Sequence, residues 1–511
     1  MHKCGKVFLV GAGPGDPGLI TRKALKCLSQ ADFVLYDGLV NPLLLLNTAA
    51  DSERTCRSHT PQGRMLNQEE INRRLIEEAR SGKTVVRLKG GDPFIFGRGG
   101  EEAEALRAAG IPFEIVPGVT AATGACAYAG VSLTHRKWAS SVAFVTGHED
   151  PMKNDSLIDY AALAAFRGTL VFYMGLHRLE DIARRLIESG KSPQTPAVVI
   201  SQGTTPHQQT VTAPLEELPA AARDAGLQAP SLIVVGECVQ LRETISWFEQ
   251  RPLLGRRIGI PRPLGQALPV VEQANDLGAD CVLMPTIEIL PPKDWIAVDK
   301  AIDHLDEYDW LVFTSANGVE YFLSRIIDSG GDMRRLGGLN IATIGPATAA
   351  ALKAFHLKAD IVPEEYRAEG LAAALTPLVR GKRVLWARAS RGRDVLPASL
   401  REAGAVVDEV VVYQNIDSTS FDPAVTEILN NGEVDWVCLS SPSIARQFRK
   451  LLGPQACEQV GTTIRLASIS PVTSAAAEEC GLAIHAEARE YTWPGLFAAI
   501  VDFETQHNHR D

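Results

Sequence analysis

Short apolar or β-branched runs alternate with helical patterns along almost the whole of this 511-residue chain. In the first half, strand-like runs at Lys6–Val10 and Thr84–Leu88 alternate with helical patterns such as Glu69–Ser81 and Glu101–Ala109. The second half continues in the same way, with runs such as Trp310–Thr314. Alternation of this kind favours an α/β fold with mostly parallel sheets. Because a typical domain has roughly 100–200 residues, the length predicts three or four compact units.

Two seams divide the chain. The main one falls at Arg242–Gly255, just before a new strand-like run that begins at Arg256. A softer one lies near His135–Ser141, between a glycine-rich part and a smaller α/β part. The sequence therefore predicts a first half over 1–248, with parts of about 1–137 and 138–248, then a linker over 249–255 and a second half over 256–505.

Charge, hydropathy and cysteine spacing exclude several classes of protein. The formal net charge is −10, which disfavours a nucleic-acid partner because phosphate binding needs a basic surface. No run of about eighteen apolar residues occurs, and the first residues lack the layout of a signal peptide, so we expect no membrane span. The nine cysteines show no CxxC pair and no zinc spacing. We therefore expect reduced thiols, no metal site and a cytoplasmic protein.

The first segment with chemical content is Val-Gly-Ala-Gly-Pro-Gly-Asp-Pro-Gly-Leu-Ile-Thr at 10–21, between a strand and a helix. Glycines there let the backbone turn tightly and approach a ligand. The segment lacks the third glycine of a dinucleotide-binding GxGxxG loop, and Pro14 stands inside it. Taken alone, it is also compatible with a glycine-rich turn that binds nothing.

Two further segments follow predicted strands. They are Arg-Leu-Lys-Gly-Gly-Asp-Pro-Phe-Ile-Phe-Gly-Arg-Gly-Gly-Glu-Glu at 87–102 and Val-Pro-Gly-Val-Thr-Ala-Ala at 116–122. In the first, Asp92 can accept hydrogen bonds from the hydroxyls or the amine of a ligand. Since α/β sheets bind ligands beyond the carboxyl ends of their strands, both segments are candidates for one site.

These segments occur in order with Leu-Thr-His-Arg (133–136), Thr-Gly-His (146–148) and Phe-Tyr-Met-Gly (172–175). Together they resemble the uroporphyrinogen-III C-methyltransferases, within the tetrapyrrole methylases. The resemblance implies two αβα domains with S-adenosyl-L-methionine in the cleft between them, and methyl transfer to uroporphyrinogen III. It requires that the three glycine loops converge. These loops lie at 11–15, 90–92 and 118–121.

The resemblance also assigns roles to single residues. Asp37 matches the proposed proton acceptor, and a strand-end carboxylate in a turn is the other interpretation. The family's Gly-Lys proton-donor position falls here on Ser58-His59, so the acid role passes to His59, an imidazole that titrates near neutral pH. Ordinary core packing is the other interpretation of Met174. The positions that match cofactor contacts are Pro14, Gly90, Gly91, Asp92, Ile95, Thr120, Ala121, Met174 and Gly203.

Three basic residues of the first half are candidates for binding substrate carboxylates, namely Arg98, His135 and Arg136. Surface or structural pairing is an equally good interpretation of them. Methyl transfer to the macrocycle needs few other groups from the protein. The reduced macrocycle has electron-rich pyrrole carbons that attack a sulfonium methyl group in line, so the enzyme has to align the two and exclude water.

Clusters of small hydroxyl residues follow three predicted strands of the second half, at 314–318, 440–443 and 468–473. Hydroxyls and N–H groups at helix N-termini bind carboxylates, although N-capping is the other interpretation. Six basic residues also fall within 380–393 of this otherwise acidic half, and arginine suits carboxylate binding, with a solvated basic face as the alternative. The candidate substrate-binding residues are Thr314, Ser315, Asn317, Arg388, Ser441 and Thr473.

The second half resembles uroporphyrinogen-III synthase over roughly residues 256–503. The matching pieces include Phe-Thr-Ser-Ala-Asn-Gly-Val (313–319), Ala-Arg-Ala-Ser-Arg-Gly-Arg-Asp-Val-Leu-Pro (387–397), Val-Val-Tyr-Gln (411–414), Ala-Ser-Ile-Ser-Pro-Val-Thr-Ser (467–474) and Thr-Trp-Pro-Gly-Leu (492–496).

This second resemblance implies two αβ domains that are joined by a two-stranded ladder and hold the substrate between them. One would take 256–290 plus 415–503, and the other 291–412. The implied reaction cyclises hydroxymethylbilane with loss of water and inversion of ring D. Tyr413 matches a tyrosine proposed to help the hydroxyl depart, and a half-buried strand aromatic is the other interpretation.

Taken together, the two halves predict consecutive steps that end in precorrin-2. The expected partners are small-molecule tetrapyrroles and a second copy of the chain, in a homodimer through the methyltransferase half. Three alternatives stay open: a nucleotide-binding regulatory or scaffold protein, a methylase of a later corrinoid intermediate, and a noncatalytic synthase-like second half.

Overall fold

The described residues form four five-stranded sheets flanked by helices. Two of them lie in the N-terminal half and two in the C-terminal half, which confirms the α/β fold that the alternation predicts. The computed structural model describes residues 4–48, 51–54, 66–147 and 158–507.

The first sheet is parallel throughout. Its strands are β1 (Lys6–Gly11), β2 (Phe33–Tyr36), β3 (Asp51–Arg54), β4 (Thr84–Lys89) and β5 (Phe113–Val116). Its helices are α1 (Arg22–Ser29), α2 (Gln68–Arg80) and α3 (Gly99–Ala108), whereas α4 (Ala121–Tyr128) follows β5 and packs against the second sheet. The strand order is β3-β2-β4-β1-β5, so β1 lies between β4 and β5. The loops after these three strands therefore leave the same edge of the sheet side by side.

The second sheet is mixed. Its strands are β6 (Val142–Thr146), β7 (Thr169–Tyr173), β8 (Pro196–Ser201), β9 (Gln209–Pro214) and β10 (Ser231–Val235). Its helices are α5 (Tyr160–Ala165), α6 (Leu179–Glu188), α7 (Leu218–Asp224) and the short α8 (Arg242–Ile245). The order is β6-β7-β10-β8-β9, with β6 and β7 parallel and the other pairs antiparallel.

The C-terminal half contains the third and fourth sheets. Its strands are β11 (Arg257–Ile260), β12 (Asp280–Leu283), β13 (Ile287–Leu290), β14 (Trp310–Phe313), β15 (Asn340–Thr343), β16 (Arg383–Ala389), β17 (Val406–Asp417), β18 (Trp436–Leu439), β19 (Arg465–Ser468) and β20 (Ala486–Glu487). Its helices are α9 (Leu268–Asp276), α10 (Ile296–Asp303), α11 (Ala316–Asp328), α12 (Pro346–Leu352), α13 (Ala368–Leu375), α14 (Val395–Glu402), α15 (Pro423–Asn430), α16 (Pro442–Leu451), α17 (Pro454–Gln459), α18 (Pro471–Glu478) and α19 (Trp493–His507).

The chain crosses between these two sheets in both directions. The third sheet has the order β12-β11-β18-β19-β20, and the fourth has the order β13-β17-β16-β14-β15. Strands β13 and β17 pair antiparallel, from Ile287 opposite Asp417 to Leu290 opposite Gln414. The outgoing and returning crossings thus run side by side as one ladder.

The segment between the two halves makes hydrogen bonds with both of them. The N–H of Gly255 donates to the carbonyl of Pro206 at 3.1 Å, and Nη1 of Arg251 donates to the carbonyl of Asn275 at 2.7 Å. The segment expected as a linker is therefore packed against both halves, and Leu253 in it is buried. Among the helices of the described residues, none is both long and apolar enough to span a bilayer.

Candidate active sites

The three glycine loops of the N-terminal half lie against one another. Gly13 and Gly91 exchange two backbone hydrogen bonds, at 3.2 and 2.8 Å. A Cβ atom on Gly11 would lie 2.6 Å from the carbonyl oxygen of Gly91, and one on Gly118 would lie 2.8 Å from Cα of Gly11. Side chains at these positions would force the loops apart, so glycine is what permits the convergence that the sequence predicts.

Asp92 holds two of these loops together. Its Oδ2 accepts the N–H of Gly118 at 3.0 Å, and its Oδ1 accepts the N–H of Phe94 at 2.8 Å. Both oxygens therefore already have partners within the protein. A carboxylate has further lone pairs, so this structural role does not prevent contact with a ligand.

The second sheet contacts these loops at the end of β7. The hydroxyl of Tyr173 lies 2.6 Å from Oγ1 of Thr120 and accepts the N–H of Ala122 at 2.9 Å. Its ring centroid is 4.9 Å from that of Phe96, which belongs to the loop after β4. The next residue, Met174, is 53% exposed, so the interpretation as ordinary core packing is wrong for this side chain.

Backbone strain is concentrated in the same region. Among the described residues, six other than glycine have positive φ, and five of them lie in the loops after β4, β7 and β8. Strained residues persist where the surrounding structure over-determines them, often at ligand sites. The five are Phe96, Arg98, Met174, Gln202 and Thr204.

Gly203 stands between two of these strained residues. A Cβ atom there would clash with Cβ of Ala125, in α4, which follows the third glycine loop. The loop after β8 also reaches the first glycine loop, because the N–H of Asp16 donates to Oγ1 of Thr204 at 3.2 Å. Loops from the first and second sheets thus meet at the candidate cofactor site.

Asp37, directly after β2, belongs to a buried charge network that the sequence analysis missed. Its Oδ1 pairs closely with Nη2 of Arg87, and Nζ of Lys89 lies 4.0 Å from its Oδ2. Oε1 of Glu102 accepts from Nε of Arg87 at 3.1 Å and from Nζ of Lys89 at 2.8 Å. Burial lowers the pKa of Lys89, and the neighbouring Arg87 lowers it further. The network fixes the orientation of the Asp37 carboxylate.

The candidate substrate residues of this half make mainly local contacts. Arg98 donates to Glu101 from Nε at 2.9 Å and from Nη2 at 2.7 Å, at the exposed start of α3. The His135 ring packs at a tilt against Trp138, with ring centroids 4.6 Å apart, and the Arg136 side chain is exposed. None of these described contacts joins the three residues to the glycine loops. His59 lies outside the described residues.

In the C-terminal half, the hydroxyl clusters cap three helices. Oγ of Ser315 accepts the N–H of Gly318 at 2.9 Å, Oγ of Ser441 accepts that of Ile444 at 3.2 Å, and Oγ of Ser470 accepts that of Thr473 at 3.4 Å. N-capping is therefore present in all three. It also aims three helix N-termini beyond the carboxyl ends of β14, β18 and β19, where anions bind well.

Tyr413 lies within this arrangement. Its hydroxyl donates to Oγ of Ser315 at 3.1 Å, and its ring stacks on Tyr321 at 5.9 Å. The nearby Thr314 accepts a hydrogen bond from Nε1 of Trp386 at 3.1 Å. Tyr413 and Thr314 both line a cavity of about 350 Å³ beside the fourth sheet.

The other candidates of this half differ in how free their side chains are. Arg388 lines the same cavity, but it pairs closely with Glu409 and stacks on Trp386 at 4.5 Å. Thr473 is buried within α18. Asn317 accepts a hydrogen bond at 2.8 Å from Nε2 of Gln266, which belongs to the third sheet's domain. Asn317 therefore lies where the two domains face each other.

Sequence reasoning overlooked Arg87, Lys89, Glu102 and Tyr173. All four stand in segments that were singled out for their glycines or for a neighbour, and the charges at 87 and 89 inside a strand were a usable signal. Among the residues that the structure describes, no group of three or more His, Cys, Asp or Glu side chains could hold a metal ion.

Two family models match the chain. The model described as Tetrapyrrole (Corrin/Porphyrin) Methylases matches residues 6–219, and the model described as Uroporphyrinogen-III synthase HemD matches residues 269–498. The two matches fall on either side of the seam at 242–255.

Similar proteins cover one half or nearly all of the chain. The porphyrin biosynthesis protein HemD of Ruminiclostridium josui is 37% identical over 445 residues, which are 87% of this chain and 88% of that protein. The siroheme synthase of Pseudomonas fluorescens (strain Pf0-1) is 52% identical over 249 residues, which are 49% of this chain and 53% of that protein, so the chain spans about half its length. Native uroporphyrin III C-methyl transferase from Thermus thermophilus is 38% identical, with 46% of this chain and 94% of that chain covered and a TM-score of 0.40.

The fold and the matches define the class of each half, a tetrapyrrole methylase followed by a uroporphyrinogen-III synthase. The chain as a whole belongs to the family in which these two domains are fused in one polypeptide.

Proposed function

We propose that the chain carries out two consecutive steps of tetrapyrrole biosynthesis. The C-terminal half closes hydroxymethylbilane to uroporphyrinogen III with loss of water, and the N-terminal half transfers two methyl groups from S-adenosyl-L-methionine to that product, giving precorrin-2. The observation that carries the proposal is the convergence of the three glycine loops against the end of β7. It occurs in a chain whose two halves match the two families.

The residues around the glycine loops fit S-adenosyl-L-methionine. A Cβ atom on Gly91 would contact the backbone nitrogen of Ala121 at 3.7 Å, so glycine keeps a cradle open between these loops. The half-exposed Met174 and the partly buried Ile95 add apolar walls. When bound, the cofactor supplies an electrophilic methyl group on a sulfonium.

The role of the protein in methyl transfer is alignment and proton removal. Pro14, Thr120 and Gly203 lie on the walls of the cleft, and Phe96 and Tyr173 help to exclude water from it. Asp37, which Arg87 holds in place, accepts the proton that the methylated pyrrole ring must lose. Arg98, His135 and Arg136 meet carboxylates of the macrocycle, and His59 is the proposed acid.

In the C-terminal half, the hydroxyl of Tyr413 assists departure of the substrate hydroxyl. It already donates to Ser315, so it points its proton toward the N-terminus of α11. Loss of the hydroxyl creates a reactive azafulvene, and the protein then has to fold the chain and steer attack through a spiro intermediate. The substrate carboxylates lie at the capped helix N-termini. The residues that would hold them are Thr314, Ser315, Asn317, Arg388, Ser441 and Thr473.

We also propose a homodimer through the methyltransferase half and a cytoplasmic location. The eight cysteines of the described residues are unpaired, which supports a reducing compartment. Sedimentation of the full chain tests whether it is a dimer. Sedimentation of a variant altered on an exposed surface of the methyltransferase half tests whether that half forms the interface.

The decisive experiment supplies hydroxymethylbilane and S-adenosyl-L-methionine to the full chain and follows the products. We expect a dimethylated product with both, and uroporphyrinogen III with hydroxymethylbilane alone. If the uninverted isomer is the sole ring-closed product, the proposed synthase activity is wrong. If uroporphyrinogen III accumulates without methylation, the proposed methylase activity is wrong. Faster turnover of a later corrinoid than of uroporphyrinogen III would favour the alternative methylase.

A variant sharpens the same experiment. Asp37→Asn is expected to slow methylation by a factor of about 100, the order that general acid–base groups contribute, while ring closure is unchanged. Asp224→Asn, at the exposed end of α7, is the matched control.

A further inference from the structure

The guanidinium group of Arg262, at the end of a strand, has no acidic partner among the residues that the structure describes. It lies two residues beyond β11 and is partly buried. Its Nη2 donates to Oε1 of Gln266 at 3.0 Å, and its guanidinium lies 5.7 Å from the ring centroid of Trp493. Both neighbours are uncharged. Within the described ranges, no carboxylate lies at ion-pair distance from Arg262.

Other arginines of this half have acidic partners. Arg388 pairs with Glu409, and Arg257 pairs with Asp280 at 2.9 Å. For Arg262, burial lowers the pKa, and no acidic group opposes that effect. Even partial removal of a guanidinium from water is costly without a counter-charge, so this position favours binding of an anion.

The position of Arg262 identifies the space that such an anion would occupy. Gln266, which accepts from Arg262, donates to Oδ1 of Asn317 at 2.8 Å, and Asn317 belongs to α11 of the facing domain. Two residues before Asn317, Ser315 accepts from the hydroxyl of Tyr413 at 3.1 Å. Arg262 is therefore connected through Gln266 to the start of α11, where Tyr413 also makes its hydrogen bond.

We propose that Arg262 binds a carboxylate side chain of the linear tetrapyrrole in the cleft between the third and fourth sheets, and that Gln266 positions its guanidinium. The inference rests on the proposed synthase activity. Guanidinium groups bind carboxylates with two parallel N–H donors, and Nη2 alone is used by Gln266. Trp493, in the Thr-Trp-Pro-Gly-Leu segment, supports the flat face of the group.

The test uses the full chain and hydroxymethylbilane as the probe. For Arg262→Gln, we expect KM to rise about tenfold or more, as for loss of a charge-assisted hydrogen bond, with a smaller change in kcat. KM of the wild-type chain is expected to rise with ionic strength, and the variant to respond less, because its carboxylate contact is gone. Arg262→Lys keeps the charge without the planar fork and is expected to lie between the two.

Two controls separate binding from folding. Arg334→Gln alters an arginine that is 92% exposed and pairs with Asp332, and it is expected to leave KM and its salt dependence unchanged. Methylation of preformed uroporphyrinogen III by Arg262→Gln, together with its thermal midpoint, reports whether the variant folds. If that variant fails to fold, Arg262→Lys carries the same test.

The outcomes are distinct. A raised KM with a weakened salt dependence supports the proposal. An unchanged KM, or a loss confined to kcat, overturns it, since a residue that only closes the domains would act in that way. If the wild-type chain does not form uroporphyrinogen III at all, the proposed synthase activity fails, and this inference fails with it.

Discussion

Nε2 of His207 in the N-terminal half lies 3.1 Å from Oδ2 of Asp280 in the C-terminal half. His207 belongs to the loop after β8, which also contains Thr204. The Thr204 hydroxyl accepts the N–H of Asp16, the residue that follows the first glycine loop. A short series of contacts thus connects the first residue of β12 to the candidate cofactor site. We expect the C-terminal half to help hold that site in shape.

Asp280→Asn tests this connection. The change removes the charge that faces both His207 and Arg257, and all three side chains are partly exposed. We therefore expect KM for S-adenosyl-L-methionine to rise by a factor of about 5, which corresponds to roughly 1 kcal/mol. Initial rates of methyl transfer measure it, with the exposed Asp303→Asn as control. An unchanged KM would show that the halves meet without influence on the cofactor site.

The stability difference between the wild-type chain and Asp280→Asn is expected to depend on pH. Burial alone would raise the pKa of Asp280, but the hydrogen bonds and charges of His207 and Arg257 hold it below its ordinary value of 3.8. A lowered folded-state pKa stabilises the protein above that ordinary value, and the contribution is lost as the pH falls through the folded-state pKa. The difference in unfolding free energy between wild type and Asp280→Asn should shrink as the pH falls below about 4. Urea unfolding at several pH values measures it.

Gly118→Ala tests the convergence of the glycine loops. The added Cβ atom would lie 2.8 Å from Cα of Gly11 and closer still to the carbonyl oxygen of Gly91, so the loops would have to separate. We expect a loss of about 1–3 kcal/mol in stability, typical of overpacking, together with loss of measurable S-adenosyl-L-methionine binding by calorimetry.

The matched control for that variant is Gly100→Ala. A Cβ atom on Gly100, in α3, would have nothing within 4 Å. Alanine is the better helix former by up to about 1 kcal/mol, so this variant should bind the cofactor normally and be at least as stable. Equal binding by both variants would contradict the proposed position of the cofactor.

Much of this site could be predicted from the sequence, because parallel strands bring the loops at their carboxyl ends together. The convergence of 11–15, 90–92 and 118–121 follows once β1 lies between β4 and β5. Sequence spacing does not show that one residue can have both a binding role and a structural role. The sequence predicts that Asp92 binds a ligand, yet both of its carboxylate oxygens also accept hydrogen bonds from protein N–H groups. The same holds for Ser315, which caps a helix and accepts from Tyr413.

The charge network around Asp37 shows a different limit. Residues 87 and 89 alternate along β4 and so share one face of the sheet, which the sequence does indicate. That α3 buries Glu102 against that face depends on tertiary packing. In the same way, Arg388 stands in a basic run, but only the structure shows that Glu409 occupies its guanidinium. Pairing of charges across elements is decided by the fold, which local patterns do not specify.

Glu102→Gln tests the importance of that network. Glu102 is completely buried and accepts from both Arg87 and Lys89, so the amide would leave two buried cations with one carboxylate fewer. Removing one partner of a buried ion pair costs about 3–5 kcal/mol. We expect methyl transfer to fall strongly, while ring closure by the other half of the same chain persists.

The control for this variant is Glu104→Gln, on the exposed face of the same helix. It should match the wild-type chain in both activities and in thermal midpoint. If Glu102→Gln also methylates at the wild-type rate, Asp37 does not depend on the network for its orientation.

Tyr413→Phe separates the two interpretations of that tyrosine. Phenylalanine keeps the ring that stacks on Tyr321 at 5.9 Å and removes only the hydroxyl that donates to Ser315. A structural hydrogen bond of this kind contributes roughly 0.5–1.5 kcal/mol to stability, so the fold should persist. If the hydroxyl assists departure of the leaving group, kcat for ring closure should fall by about 100-fold with little change in KM.

The comparison with Ser315→Ala decides what that hydroxyl does. This variant leaves the Tyr413 hydroxyl in place but removes its acceptor and the cap of α11. If the Tyr413 hydroxyl acts on the substrate, Ser315→Ala should lower the rate of ring closure only modestly. If the hydrogen bond between the two residues is purely structural, Ser315→Ala and Tyr413→Phe should lower that rate equally. Stopped-flow rates of ring closure for the two variants, with Tyr321→Phe as control, measure the difference. Equal losses of rate in both variants would give Tyr413 a purely structural role in the cleft. The helix N-termini alone would then assist departure of the leaving group.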